Sequence, residues 1–321
     1  MRKISASLAV LGLLSVGLVG CSLLPGGDAC PRPTASDSAV TDLITVSGST
    51  DDAPDVDLYL PFHASAVTVQ DEVVGEGNRI TTDSQLIMID VSITSGATGE
   101  RVVETAYDGD LSRVSTVSQW TEVIPGFEDA LICATEGSRI VVALPPGSIS
   151  EATATGLELD PEETAVAVID LRKVYLAKAD GADQFNFSAG LPTVVRAPDG
   201  RPGVIVPDAD PPADLVVQTL KKGDGAVVTG DEPVRVHYTG LTWDDRAVFE
   251  TTWDDSPQSV TLDSMIPGFA DALRGQTVGS QVLVVVPPDQ GYGDREQGAI
   301  PADSTLIFVV DILGLDQPAT R

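Results

Sequence analysis

One nine-residue block occurs twice in this chain, and it constrains the fold more than any other feature. Val123-Ile-Pro-Gly-Phe-Glu-Asp-Ala-Leu131 and Met265-Ile-Pro-Gly-Phe-Ala-Asp-Ala-Leu273 agree at seven of nine positions. A run rich in β-branched residues and ending in Pro-Pro follows each block, Arg139 to Pro146 and Gln281 to Pro288. Each copy then closes on a further apolar run, Ala165 to Leu171 and Leu306 to Leu313. One domain type used twice is the simplest account of such ordered similarity. A chain of 321 residues holds two domains of ordinary size.

The second copy reads as an antiparallel sheet with one short helix. Val234, Val236 and Tyr238 alternate on one face, the mark of a half-buried strand. A turn at Asp244-Asp245 leads to a second strand through Val248 to Thr252. Ile266, Phe269 and Leu273 fall on one helical face, and Pro267 suits the first turn, where no N–H is needed. Val282 to Val286 is apolar throughout, as expected of a strand covered on both sides. These elements predict the α+β class, with two curved antiparallel sheets, each wrapping a short helix.

The start of the chain reads as a targeting segment. Arg2 and Lys3 precede an apolar stretch from about Leu8 to Val19, too short for a comfortable membrane span. Leu18-Val19-Gly20-Cys21 resembles a bacterial lipobox. The resemblance implies cleavage before Cys21, lipid on its thiol and a membrane anchor at the extracytoplasmic face. An ordinary signal peptide with an incidental cysteine is the alternative. The expected organisation is a signal peptide at 1–20 and a lipidated, flexible stalk at 21–57. A first domain follows at 58–179, a Pro/Gly-rich linker at 180–213, a second domain at 214–316 and a tail at 317–321.

Charge and cysteine content narrow the partners. The net charge is −29, and −31 once Arg2 and Lys3 are removed. Such a surface repels phosphate backbones, which excludes nucleic acid as a natural partner. Cys30 and Cys133 remain once Cys21 is assigned to lipid. In an oxidising compartment they either pair or stay as two separate buried thiols. Neither His63 nor His237 belongs to a Cys/His cluster with metal spacing, so no metal or other cofactor is expected.

From about Leu215 to Leu315 the order of motifs resembles the FKBP family. The carrying pieces are Gly223-Asp-Gly225, Val236-His-Tyr-Thr-Gly240, Val248-Phe-Glu-Thr251, Ile266-Pro-Gly-Phe269, Pro287-Pro-Asp-Gln-Gly-Tyr-Gly293, Gly298-Ala-Ile-Pro301 and Leu306-Ile-Phe-Val-Val-Asp311. The resemblance implies a peptidyl-prolyl cis–trans isomerase whose pocket lies between helix and sheet. Phe269 would form the floor, and Tyr238, Phe249, Phe308 and Tyr292 the walls. Glu250, Met265, Ile266 and Ile300 would complete the lining, with the Ile266 backbone N–H and the Tyr292 hydroxyl holding substrate carbonyls. The substrate would be X-Pro segments of unfolded or extended proteins. Three positions depart from the family's habit. Glu250 stands where Asp is usual, Gln258 where an aromatic is frequent, and Phe269 where eukaryotic members often have Trp.

Aligned from the shared blocks, the first copy places Asp90 at Tyr238, Val103 at Phe249, Ser150 near Tyr292 and Ala167 at Phe308. Only Val123, Ile124 and Phe127 keep the helix side of the pocket. The first domain is therefore expected to keep the fold and lack the activity. The leading expectation is an extracytoplasmic isomerase that assists secreted or envelope proteins. The competing one is a non-catalytic FKBP-fold lipoprotein that binds partners.

Overall fold

The computed structural model describes residues 30, 32, 37–185 and 188–317. The expected signal peptide, Cys21 and the last four residues lie outside the described residues. Two antiparallel sheets of the same strand order make up the body of the molecule. In the first the order is Thr68–Val73, Arg139–Leu144, Ala165–Val174, Leu86–Ser95, Arg101–Glu104. In the second it is Val216–Lys222, Gln281–Val286, Leu306–Leu315, Val234–Thr242, Val248–Thr251. A short strand also pairs with the same member of each sheet, Ser115–Thr116 with Leu86–Ser95 and Gln258–Val260 with Val234–Thr242. The fold is α+β, as the patterning predicts.

The second sheet is buried on both faces. Phe308, Val310 and Ile312 pack toward the helix Pro267–Leu273, together with Phe269 and Leu273. Ile307 and Val309 point the opposite way, as the period of two requires. They meet Leu241, Trp243, Leu283 and Val285 under a β-hairpin, Thr193–Arg196 paired with Pro202–Ile205. Val194 and Val204 of that hairpin face the sheet. The first sheet carries the same third layer. There the hairpin Ile44–Ser47/Asp55–Leu58 lays Ile44, Val46, Val56 and Leu58 against Val141, Ala143, Val166 and Val168.

These hairpins correct the reading of 21–57 as flexible stalk and of 180–213 as linker. From Ser38 the first of those segments is structured, with a one-turn helix at Ser38–Thr41 before its hairpin. The second begins by joining the sheet: Ala182–Asp183 pairs with Lys221 and Lys222. Gly, Pro and Asp at the turns dominate the composition of both segments. That composition hid four-residue strands whose alternation is short but real.

One glycine in each copy explains the shared Ile-Pro-Gly-Phe motif. A Cβ on Gly268 would lie 2.6 Å from Val286 Cγ1, and one on Gly126 would lie 2.3 Å from Leu144 Cδ2. The helix thus sits on its sheet at a distance that no side chain at this position permits. Pro267 takes the first helical position, and Ile266 before it is extended, as a residue preceding proline prefers. The first copy departs from the expected single helix. Its block splits into a 3-10 turn, Pro125–Phe127, and a helical turn, Glu128–Leu131. Helices at Val117–Val123 and Glu151–Gly156 are added.

Equivalent buried polar positions tie each hairpin down. In the first copy Arg139 faces Asp170 across the ladder, with bonds of 2.7 and 2.8 Å, both side chains 2% exposed. The Arg139 guanidinium also donates to the carbonyls of Gly48, Ser49 and Asp52 in the hairpin turn. In the second copy Gln281 faces Asp311 and donates to it at 2.6 Å, and Arg196 of the hairpin donates to Gln281. Asp311 also accepts the Ala179 N–H at 2.8 Å, which fastens the chain leaving the first sheet to the second. Arg139→Ala would strand the Asp170 carboxylate in the interior. Loss of such a pair typically costs about 3–5 kcal/mol. Urea denaturation of the chain should show a loss of that size, and a change under 1 kcal/mol would refute the anchoring role.

Candidate active site

The helix face of the second sheet gathers four aromatic rings. Phe269, fully buried, projects from the helix and meets Phe308 edge-on, with centroids 5.2 Å apart at 82°. Phe249 meets Phe308 at 5.7 Å and 81°, and Tyr238 meets Phe269 at 5.9 Å and 71°. Edge-to-face contact matches the positive ring edge with the negative face. Tyr238 and Phe308 are each 5% exposed, so the cluster has a buried base. Met265, Ile266 and Tyr292 pack around it half-buried, and Ile300 closes it from the loop that follows Tyr292. Every residue expected at the site is thus brought to this one face, except Glu250, which stands exposed at its edge.

Strand geometry explains the convergence. Gly240 pairs with Phe308 on one side and with Glu250 on the other. A bulge at this point leaves Phe249 as the extra residue between Val248 and Glu250. A Cβ on Gly240 would lie 2.6 Å from the Phe249 ring and 2.9 Å from the Phe308 ring. Two rings close over a bare backbone, so Gly240 is part of the site. The sequence analysis treated it as a motif letter. A glycine within an apolar strand was the available signal.

The electrostatics centre on one carboxylate. Burial pushes the Tyr238 hydroxyl up, and the facing Glu250 carboxylate adds hydrogen bonding and charge in the same direction. Burial also raises the Tyr292 hydroxyl, with Glu250 again contributing. Behind Tyr238, the Thr252 hydroxyl accepts its backbone N–H at 2.9 Å and lies 2.8 Å from His237 Nδ1. The His237 ring stacks on Trp253 at 4.4 Å. Gln258 lies on an exposed strand position opposite Val236 and donates to the Ser256 carbonyl. Among the described residues no group of His, Cys, Asp and Glu has the arrangement of a metal site.

The first copy differs by one residue from the alignment made on sequence. Val91, not Asp90, stands at the Tyr238 position. The Val91 N–H donates to Thr105 Oγ1 at 3.0 Å, as Tyr238 does to Thr252, and Asp90 takes the place of His237. Asp90 faces away from the helix and bonds Arg172 at 2.7 Å. Likewise Val102 is the bulged residue equivalent to Phe249, and Val103 pairs with Ile93 where Glu250 pairs with Gly240. A one-residue slip turns a strand over, and block matching at the helix does not constrain register in a distant strand. Ala167 does occupy the Phe308 position, opposite Ile93. Aliphatic side chains, among them Leu157 and Leu159, fill the helix face there, with Trp120 6.3 Å from Phe127.

With this geometry in view, comparison with known proteins is direct. Residues 223–313 match the family model of the FKBP-type peptidyl-prolyl cis-trans isomerase. The FK506-binding protein of Streptomyces anulatus is 32% identical over 120 residues, covering 36% of this chain and 97% of that protein. The probable FK506-binding protein of Corynebacterium glutamicum is 29% identical over 114 residues, covering 35% and 97%. The crystal structure of FkpA from Escherichia coli is 28% identical, covering 41% of this chain and 54% of that one, at a TM-score of 0.32. The chain belongs to the FKBP-type peptidyl-prolyl cis-trans isomerase family.

His237 makes the site pH-sensitive in its stability. Burial, with Arg201 adding repulsion, lowers the imidazole to about 4. Its unfolded value is about 6.5. The folded state therefore resists protonation that the unfolded state accepts. The contribution is complete above pH 6.5 and is lost as pH falls from there toward 4, by about 3 kcal/mol in all. Relative to His237→Gln, the parent chain should lose stability over that window in denaturant titrations. Parallel pH profiles would refute the assignment.

Proposed function

We propose that the second domain rotates X-Pro bonds in the aromatic pocket, and that the chain does so outside the cytoplasm, anchored by lipid on Cys21, for secreted or envelope proteins. The observation that carries the catalytic reading is the edge-to-face cluster of Tyr238, Phe249, Phe269 and Phe308. The reaction breaks no bond. Amide resonance imposes a barrier of about 18–20 kcal/mol, and uncatalysed exchange takes tens to hundreds of seconds. In the twisted state the carbonyl loses conjugation and polarity. A dry aromatic site favours that state over the planar amide. A difference of about 5 kcal/mol gives an acceleration of a few thousand-fold.

Residue roles follow from placement. Phe269 is the floor on which the proline ring rests. The backbone N–H of Ile266, at the extended residue before the helix, and the Tyr292 hydroxyl are the donors to substrate carbonyls. The first domain, with Val91 and Ala167 in place of wall aromatics, serves as a spacer or holding module. Cys30 and Cys133 each belong to a disulfide, which supports an oxidising compartment.

Exchange NMR on an X-Pro peptide tests the catalytic reading. The full chain should accelerate exchange, and Phe308→Ala or Tyr292→Ala should lower kcat/KM by about tenfold or more, as expected when a transition-state contact of roughly 1.4 kcal/mol is lost. Peptide binding without any acceleration would favour the binding-module reading instead. Cys21→Ala should move the protein from the membrane fraction to the soluble fraction. Unchanged membrane retention would remove the lipid anchor.

A further inference from the structure

We propose that the hairpin Thr193–Arg196/Pro202–Ile205, which precedes the matched family segment, positions Tyr238 of the isomerase pocket through Trp253, His237 and Thr252. The inference rests on the catalytic reading above, in which Tyr238 walls the pocket, and adds positioning residues to it. The Tyr238 ring enters the aromatic cluster, while both of its backbone groups are held by one residue. Its N–H donates to Thr252 Oγ1 at 2.9 Å, and its carbonyl accepts the Thr252 N–H at 3.0 Å. The Thr252 hydroxyl stands where a ladder carbonyl would, so its direction decides where Tyr238 sits. His237 Nδ1 lies 2.8 Å from the same oxygen, and both side chains are buried. The imidazole therefore fixes the rotation of that hydroxyl.

His237 is fixed in turn by the layer outside the sheet. Trp253 stacks on its ring, with centroids 4.4 Å apart and planes at 19°. The hairpin turn 197–201 closes against Trp253. A Cβ on Gly200, whose φ is +104°, would lie 3.0 Å from Trp253 Cη2 and 2.8 Å from Lys178 Cδ. The turn reaches the indole because this residue has no side chain. Lys178 fastens the turn by donating to the Pro198 carbonyl at 2.6 Å, and Arg201 by its ion pair with Asp254, the neighbour of Trp253.

The two copies separate this device from the fold itself. The first copy keeps the threonine, with Val91 donating to Thr105 as Tyr238 does to Thr252. It has Asp90 at the His237 position and Ala106 at the Trp253 position. Its hairpin turn is held instead by Arg139 on the carbonyls of Gly48, Ser49 and Asp52, and by Arg172 on Asp51. The stacked His and Trp thus accompany the copy that has an aromatic ring to place.

A double-mutant cycle on X-Pro exchange by the full chain tests this, with the folded fraction of each variant read from urea titration. Trp253→Ala should lower kcat/KM per folded molecule about fivefold, the size of coupling within one contact network. Trp253→Phe keeps a ring over His237 and should stay within about twofold of the parent. In a Tyr238→Leu background no wall ring is left to position, and Trp253→Ala should change kcat/KM by less than about twofold. Trp253→Leu carries the same cycle if the alanine variant does not fold. Lys178→Ala combined with Arg201→Ala unfastens the turn and should lower kcat/KM by at least about twofold. An equal loss from Trp253→Ala in both backgrounds overturns the route through Tyr238. An unchanged rate after the turn is unfastened overturns the part of the hairpin. A parent chain that accelerates exchange while Trp253→Ala keeps the full rate overturns this inference and leaves the isomerase reading standing. No acceleration by the parent chain overturns the isomerase reading and this inference with it.

Discussion

Burial of the central strands on both faces is the constraint on which the rest of the structure depends. Leu306–Leu315 sends alternate residues into the helix-side core and into the hairpin-side core. A strand so placed cannot slip by one residue without exchanging Phe308 for Ile307 on the helix side. Its one carboxylate, Asp311, is held at about 6 by burial, although the Ala179 N–H and Gln281 both bond to it. The same position in the first copy is Asp170, paired with Arg139. Both domains thus keep one polar residue at the same point of an apolar strand, and each uses it to secure the hairpin layer.

On that shared frame the two copies have diverged in how they fill the helix face. In the second, Gly240 lets two phenylalanines close over the backbone, and aromatic rings gather on the helix side. In the first, Ile93 occupies the Gly240 position, and aliphatic residues with Trp120 complete an ordinary core. The Thr105 and Thr252 hydroxyls bond the neighbouring strand in the same way in both. What separates the two helix faces is ring content and one missing side chain, with the hydrogen-bonded skeleton unchanged.

The connection between the copies is also part of the fold. The chain leaves the first sheet at Val174, bonds Leu313 through the Leu176 N–H and then pairs with the edge of the second sheet at Ala182–Asp183. Tyr175, buried between these stretches, lies under the Arg235 guanidinium at 5.3 Å. The isomerase domain of this chain is accordingly larger than the matched family segment. It includes a hairpin and a connecting strand that precede that segment.

The sequence by itself determined the repeated block, the α+β class and the family, because these rest on local patterns. A glycine after Ile-Pro, an aromatic at a set spacing and an apolar run of fixed length are each legible without partners. Tertiary structure alone decided the hairpin layers, the register of the first copy and the place of Gly240. Val194 and Val204 look like loop residues until a sheet lies beneath them. Asp90 and Val91 exchange roles according to which face of the strand turns inward. Gly240 acquires a function only when two rings from different strands meet above it. Each depends on contacts between residues far apart in the chain, and a linear pattern carries no record of such distances.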